Sequence, residues 1–231
     1  MILWYTVFEV NDMLTYKQIT SNEAIKTYII RADESLAVLG YTEHSFAHVI
    51  HVAEMAGDIL STLGFDLRSV ELAKIAGYLH DIGNLVNRKE HSQSGALLAW
   101  NILHEMQCDP ADIATIITAI GNHDEGTGVP VNPVAAALIL ADKADVRRSR
   151  VRNTDIATFD KHDRVNYSVT DSQLIINNDL AEVELKLIVD TQYSSVMDYF
   201  EIFMERMILC RKAAEKLGLR FKLIINNQQL I

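Results

Sequence analysis

The spacing of apolar residues constrains the fold most strongly, because it changes once along the chain. From residue 22 to about residue 148 apolar residues recur three and four positions apart, which is typical of amphipathic helices. This spacing predicts a helical bundle. The six predicted helices are Asn22–Leu39, Glu43–Leu63, Leu67–Leu79, Ser92–Met106, Pro110–Asn122 and Pro133–Arg148.

Several of these helices have recognisable ends. Asp109 and Asn132 each precede a proline, so each supplies a capping side chain before a residue whose missing N–H costs nothing at the first helical position. Gly64 and Gly83 follow apolar segments and are predicted to end helices.

After Asp155 the apolar period becomes two, which is typical of strands. The pattern predicts three strands, at residues 165–169, 174–176 and 183–189. Turns are predicted between them, at Asp171-Ser172 and at 177–179. A long helix at about 194–217 and a last strand at 221–225 follow. We therefore expect a mainly α protein with three parts: an N-terminal extension (1–20), a helical domain (21–155) and a small α+β tail (156–231).

The long tail helix carries apolar residues at alternating spacings of four and three: Val196, Phe200, Phe203, Met207, Cys210, Ala214 and Leu217. Two interpretations fit this pattern. The face packs against the local sheet, or it forms the seam of a homodimer, since three heptads are the shortest run that indicates a coiled coil.

Composition excludes several classes of protein. The 231 residues include 21 basic and 31 acidic ones, a net charge of −10, so we expect no extended nucleic-acid surface. Two cysteines cannot form a disulfide framework, which favours a reducing, cytoplasmic location. No apolar run approaches the length of a membrane span. The apolar residues 1–8 lack the features of a signal peptide; they form an added strand, or Met13 is the natural start.

Histidine is unevenly distributed, since seven of the eight histidines lie between residues 44 and 123. His80 and Asp81 are adjacent at the end of an apolar helix, where neither is cheap to bury unless it is paired or coordinated. Imidazole nitrogen and carboxylate oxygen together suit Fe, Mn, Zn, Co or Ni. Asp142 directly follows an apolar run and also needs a partner, unless it lies on a solvated helix turn.

Three more histidines occur within eight residues. His44 and His48 are four apart and share a helix face, and His51 lies near the same face. Their spacing favours coordination by at least one of them without deciding which. His91 and His123 each stand at a predicted helix end, whereas His104 and His162 fit no motif and are expected at the surface.

These motifs, in this order, resemble the HD superfamily of metal-dependent phosphohydrolases over residues 43–148, with the HD-GYP branch as the nearest likeness. The resemblance rests on six motifs: His48-Val49-Ile50-His51-Val52-Ala53, His80-Asp81-Ile82-Gly83, His91 with Gly95-Ala96, His123-Asp124-Glu125, Gly126-Thr127-Gly128-Val129-Pro130 and Ala141-Asp142. Asn84, Asp124 and Val129 replace the branch's usual Lys, His and Tyr. These departures argue against cyclic-di-GMP as the substrate.

The resemblance implies a centre of one or two divalent transition metal ions. His48, His80, Asp81 and Asp142 would hold one ion, while His91 and His123, with Asp124 as a further donor, would hold a second. Asp81 would bridge the two ions and, with Lys143 and Asp124, take part in catalysis. His44 and His51 are extra ligands or neighbours of the ligands.

A basic segment follows Asp142, with Lys143, Arg147, Arg148, Arg150 and Arg152 within ten residues. Lys143 and Arg147 are four apart on the predicted helix, and arginine bonds phosphate bidentately. We therefore expect Lys143, Arg147 and Arg148 to bind phosphate. The alternative is a solvated helix end whose cations complement the helix dipole.

Three functions fit this sequence. The leading hypothesis is a metal-dependent phosphohydrolase that cleaves a nucleotide or another small phosphoester with a metal-activated water. The second is a metal-containing nucleotide-binding or regulatory module without turnover, which Asn84 favours. The third is a di-iron oxygenase, because histidine and aspartate ligands also suit oxygen chemistry.

Overall fold

The computed structural model describes residues 13–231 and confirms a mainly α protein with a small sheet near the C-terminus. Seven helices precede the tail: α1 (Tyr16–Ser21), α2 (Glu23–Val38), α3 (Phe46–Thr62), α4 (Leu67–Leu79), α5 (His91–Glu105), α6 (Pro110–Gly121) and α7 (Pro133–Ala144). Helix α7 is central: residues 134–141 are all buried, because α3, α4, α6 and the tail helix pack around it.

The predicted caps are present. The Asp109 side chain accepts hydrogen bonds from the backbone N–H groups of Ala111 and Asp112, and Asn132 accepts one from Ala135. Gly64 has a φ of +77°, so it ends α3 in the left-handed conformation that glycine adopts at low cost. Helix α7, however, ends at Ala144 rather than at the predicted Arg148, because Asp145 leaves helical geometry with a ψ of 68°.

Gly83 does not stop a helix as predicted. It lies inside the short 3-10 turn Ile82–Leu85 that follows α4. A Cβ at this position would lie 1.9 Å from the backbone oxygen of His91 and 2.5 Å from the nitrogen of Gly95. Glycine is therefore required because the backbone of α5 passes directly against this turn, which brings His91 close to His80 and Asp81.

The tail consists of α8 (Lys161–Ser168), β1 (Val169–Asn177), β2 (Glu182–Val189), α9 (Val196–Lys216), β3 (Arg220–Ile225) and β4 (Gln228–Gln229). The strands form one sheet in the order β1-β2-β3-β4. The β1–β2 pair is antiparallel, and α9 is the crossover that makes β2 and β3 parallel.

The prediction of three strands before the long helix was wrong. Val165 and Tyr167 lie in α8, and residues 171–172 lie inside β1 rather than in a turn. Three alternating apolar residues are too few to distinguish the period of a strand from that of a helix. Here a helix forms, and the Asp160 side chain caps it by accepting from the N–H of Asp163. The turn predicted at 177–179 is confirmed by the 3-10 turn Asn178–Leu180.

The patterned face of α9 packs within the chain. Phe203, Met207, Cys210 and Ala214 are buried, and α9 lies against α7 and β3. This is the first of the two interpretations of the heptad spacing. A homodimer through α9 stays a prediction, and it would have to use the outward side of the helix.

Residues 14–21 belong to the helical unit rather than to a separate extension. Leu14 and Ile19 are buried, and Arg68 of α4 donates to the backbone oxygen of Leu14 at 2.7 Å. The predictions for residues 1–12 lie outside the described residues. In residues 13–231, no helix combines the length and the apolar character that crossing a membrane requires.

The approach of α3 to α4 gives a test of this packing. A Cβ at Gly77 of α4 would lie 2.6 Å from the Cα of Ala53 and 2.8 Å from its nitrogen. Because two helix backbones would have to separate, we expect Gly77→Ala to lower the free energy of unfolding by about 3 kcal/mol in chemical denaturation.

Gly57→Ala on α3 is the matched control. Its Cβ would meet only the flexible side chain of Lys74, which can move away, so we expect the free energy of unfolding to change by less than about 1 kcal/mol. Equal effects of the two substitutions would contradict the close backbone contact at Gly77.

Candidate metal centre

Six predicted ligands come together at one end of the central helix, although they arise from five separate segments. Their side chains are buried or nearly so. The six are His48 on α3, His80 and Asp81 at the end of α4, His91 at the start of α5, His123 after α6 and Asp142 on α7.

Four of these residues form a first group of donor atoms. The Nε2 atoms of His48 and His80 are 3.3 Å apart. Asp81 Oδ2 lies 3.5 Å and 3.3 Å from these two atoms, and Asp142 Oδ1 lies 3.4 Å and 3.6 Å from them. Two ligands at about 2.1 Å from one ion in tetrahedral geometry are about 3.4 Å apart, so this spacing fits a shared cation.

The second group contains His91 and His123, whose Nε2 atoms are 3.2 Å apart. The other carboxylate oxygen of Asp81, Oδ1, lies 3.4 Å from His91 Nε2. Asp81 therefore presents one oxygen to each group. Asn84 holds this carboxylate in place by donating to Oδ1 at 2.9 Å.

The opposite ring nitrogens show that these rings present Nε2 to the centre. The Nδ1 atoms of His80 and His123 donate to the backbone oxygens of Gly77 and Ile120, at 2.7 Å and 2.6 Å. His91 Nδ1 donates to the backbone oxygen of Arg88 at 3.1 Å. Since a carbonyl oxygen only accepts, Nδ1 carries a proton in each of these rings, and Nε2 supplies a lone pair wherever the ring is neutral. Two facing Nε2 atoms need a proton or a metal cation between them.

Asp145 supplies the corresponding bond to the remaining histidine. Its Oδ2 accepts from His48 Nδ1 at 2.7 Å, and its carboxylate is fully buried. Burial alone would raise the pKa of Asp145, but the hydrogen bonds from His48 and Arg147 hold it well below its usual range. Asp145 is an ionised partner that orients His48, and the sequence prediction missed it.

The protonation states also suit metal binding. Burial would raise the pKa of Asp142, but Lys143 and the two histidines beside it hold that pKa well below its usual range. Burial and the nearby His80 lower the pKa of His123, which stays neutral. His80 differs: Asp81 and Asp142 outweigh its burial and raise its pKa to about 10, so a metal would displace a proton there.

The three residues predicted as extra ligands lie in different places. His44 is beside the first group, with Nε2 3.9 Å from Asp81 Oδ2 and Nδ1 bonded to the backbone oxygen of Thr42. His51 is half-exposed and faces Asp145 instead. Among the described residues, Asp124 belongs to neither group of converging donors.

The basic segment is divided by the fold. Lys143 is buried at the site, with Nζ 2.7 Å from Asp142 Oδ2 and 3.1 Å from Glu125 Oε2. Arg147 pairs with Asp145, and Arg148 stacks on the ring of Tyr167. Because α7 ends at Ala144, Arg147 no longer shares a face with Lys143. Phosphate binding by Arg147 and Arg148 stays a prediction, and both side chains have partners within the chain.

A cavity of about 600 Å³ opens above the two groups of donors. Helices α8 and α9 of the tail form one of its walls, and Arg150 lines it although the prediction did not place that residue at the site. Arg88 and Arg206 also line it, and neither had a signal in the sequence, since each occupies an ordinary polar position. His104 and His162 are exposed as expected, but His162 borders the cavity.

The Asp145–His48 hydrogen bond leads to a prediction about metal affinity. Replacing Asp145 with Asn removes the charge that orients His48, so we expect metal affinity to fall about 10- to 100-fold. Competition with a chromogenic chelator measures this value. Asp171→Asn, on the exposed part of β1, is the control and should bind metal as the wild type does; equal affinity in the two variants would refute the role of Asp145.

Comparison with known proteins identifies the family of this chain. The family model "HD domain" matches residues 45–174. Ribonuclease Y of Aliarcobacter butzleri is 30% identical over 138 residues, which are 60% of this chain and 25% of that protein. Ribonuclease Y of Mycoplasma mycoides is 34% identical over 119 residues, or 52% of this chain and 26% of that protein. The chain thus spans about a quarter of the length of these relatives.

Two further likenesses are more distant. An uncharacterized protein of Methanocaldococcus jannaschii is 27% identical over 163 residues, which are 60% of this chain and 62% of that one. The crystal structure of a predicted HD superfamily hydrolase from an uncultured Thermotogales bacterium is 25% identical, with a TM-score of 0.43, over 53% of this chain and 67% of that one. None of these matches is specific to the HD-GYP branch, but the family model covers more than half of the sequence, and the chain belongs to the HD domain family.

Proposed function

We propose that this protein is a metal-dependent phosphohydrolase that cleaves a nucleotide or another small phosphoester with a metal-activated water. One observation carries the proposal: Asp81 directs its two carboxylate oxygens at two separate groups of imidazole nitrogens. A carboxylate can bridge two cations, and a pair of divalent cations suits the hydrolysis of phosphate esters.

In this proposal His48, His80, Asp81 and Asp142 hold one ion. His91 and His123 hold a second, with Asp81 shared between the two. The donor set of imidazoles and carboxylates suits Fe, Mn, Zn, Co or Ni. When bound, such ions lower the pKa of a coordinated water and offset the charge of a phosphoryl group.

The protein's own residues prepare the cavity for an anion. Burial would lower the pKa of Lys143, but Asp142 and Glu125 outweigh it and keep the amine charged. The Arg150 guanidinium is fixed by donating to the backbone oxygens of Glu43 and Asp145. Lys143 and Arg150 therefore place fixed positive charge beside the site, where charge develops in phosphoryl transfer. Asp81 contributes by supplying one carboxylate oxygen to each of the two donor groups. A catalytic role of Asp124 stays a prediction.

The cavity supports a small substrate. Its volume of about 600 Å³ accommodates a mononucleotide, and the tail helices α8 and α9 wall one side. The ribonuclease names of the relatives make an RNA phosphodiester the main alternative substrate. We therefore include a short oligoribonucleotide among the substrates to be tested.

The test is hydrolysis of a panel of phosphoesters with Mn, Fe, Co, Ni, Zn and Mg, measured as phosphate released from the monoesters and as shortened product from the oligoribonucleotide. We expect hydrolysis with at least one transition metal, and we expect His80→Ala to lose bound metal and more than about 100-fold of the rate. His104→Ala, an exposed histidine on α5, should leave both the metal content and the rate unchanged.

Three outcomes would refute the proposal. Less than about half an equivalent of transition metal in protein purified without chelator, with no metal-restored hydrolysis, would remove its chemical basis. Nucleotide binding without turnover under every metal would favour a regulatory module, and oxygen consumption without phosphate release would favour an oxygenase.

A further inference from the structure

Arg206 of α9 lines the cavity from a part of the chain that lies beyond the HD domain match, which ends at residue 174. Its guanidinium carbon lies 4.3 Å from the centre of the Phe203 ring, and its Nε donates to Glu125 Oε1 at 2.9 Å. These two contacts fix the plane of the guanidinium. Arg206 is thus held rigidly although its side chain is 22% exposed.

The two terminal nitrogens of Arg206 are free within the part of the chain that the structure describes. Among residues 13–231, Nε is the one nitrogen of this side chain with a hydrogen-bond partner. A guanidinium carries five N–H donors, so four remain for another molecule. Their fork geometry matches the oxygens of phosphate or carboxylate.

A row of four charged side chains connects Arg206 to the metal centre. Asp142 accepts from Lys143 at 2.7 Å, Lys143 contacts Glu125 at 3.1 Å, and Glu125 accepts from Arg206. The row alternates from negative to positive, with each inner member between two opposite charges. Arg206 ends the row at the cavity, and Glu125 is its one carboxylate partner among the described residues.

We propose that Arg206 is a substrate-binding residue that recognises a second anionic group, carried by the leaving group of the phosphoester. This proposal rests on the proposed function of the metal centre. Glu125 lies between Lys143 and Arg206 and contacts both of them. We therefore assign the reacting phosphate to the centre and Lys143, and the free terminal nitrogens of Arg206 to a second anionic group. The preferred substrate class is therefore a phosphoester with two anionic groups, such as a nucleoside bisphosphate.

The test compares two probes that differ by one phosphate, adenosine 5′-monophosphate and adenosine 3′,5′-bisphosphate. Their dissociation constants are measured by calorimetry on the full chain loaded with the metal that supports hydrolysis, or with Mn²⁺ if none does. We expect the wild type to prefer the bisphosphate. In Arg206→Gln this preference should fall about 10- to 100-fold, while the affinity for the monophosphate changes less than about 3-fold.

Two further variants separate recognition from structure. Arg206→Lys keeps the charge without the fork, so it should retain part of the preference. Arg211→Gln makes the same substitution five residues further along α9, at an exposed site paired loosely with Glu215, and should retain all of it. Metal content and melting temperature are measured for each variant to confirm that it is folded and loaded.

Several results would overturn the proposal for Arg206. The first is that the wild type does not prefer the bisphosphate. The second is that Arg206→Gln loses affinity for both ligands equally, and the third is that Arg211→Gln loses the preference as Arg206→Gln does. An equal loss would mean that Arg206 only ties α9 to the Glu125 segment. If the preference follows Arg206 but no phosphate is ever released, the recognition stands and the proposed hydrolase activity fails.

Discussion

The structure depends on the hydrogen bonds that hold four buried imidazoles with their Nε2 atoms facing one another. Backbone oxygens hold Nδ1 of His80, His91 and His123, and Asp145 holds that of His48. Each ring then directs Nε2 at its neighbours, an arrangement that is costly unless a proton or a metal cation lies between the facing nitrogens. Burial would raise the pKa values of Asp81 and Asp142, but the neighbouring histidines and, for Asp142, Lys143 hold them well below the usual range. The bundle therefore has a charged site at the end of its central, buried helix.

Close backbone contacts make this arrangement possible. Gly77 allows α4 to lie against α3, and Gly83 allows the turn after α4 to touch the start of α5. These contacts bring His48, His80 and His91 close enough together for the carboxylate of Asp81 to reach all three. Packing of the helices and the geometry of the centre are thus linked, because a Cβ on either glycine would push apart backbones that carry the candidate ligands.

The sequence predicted the helical bundle and the six converging residues well, because both depend on local patterns. Helix caps such as Asp109 and Asn132 are read from adjacent residues, and an ordered set of motifs identifies histidines far apart in the chain. The predictions failed where a pattern was short or an end depended on tertiary contacts. The spacing around Tyr167 fitted the period of a strand as well as that of a helix. The helix α7 was predicted to continue to Arg148, so Arg147 was placed on the same face as Lys143.

The sequence by itself determined the helical bundle and the candidate residues of the centre, because helical period and capping are properties of neighbouring residues and the ordered motifs resemble those of a known family. Only the tertiary structure decided what surrounds the centre. Asp145 beneath His48, Glu125 between Lys143 and Arg206, and the wall made by α9 depend on side chains that meet across the fold. Such contacts form only when the helices pack. They cannot be predicted from the sequence, because the charged residues that make them occupy ordinary polar positions in it.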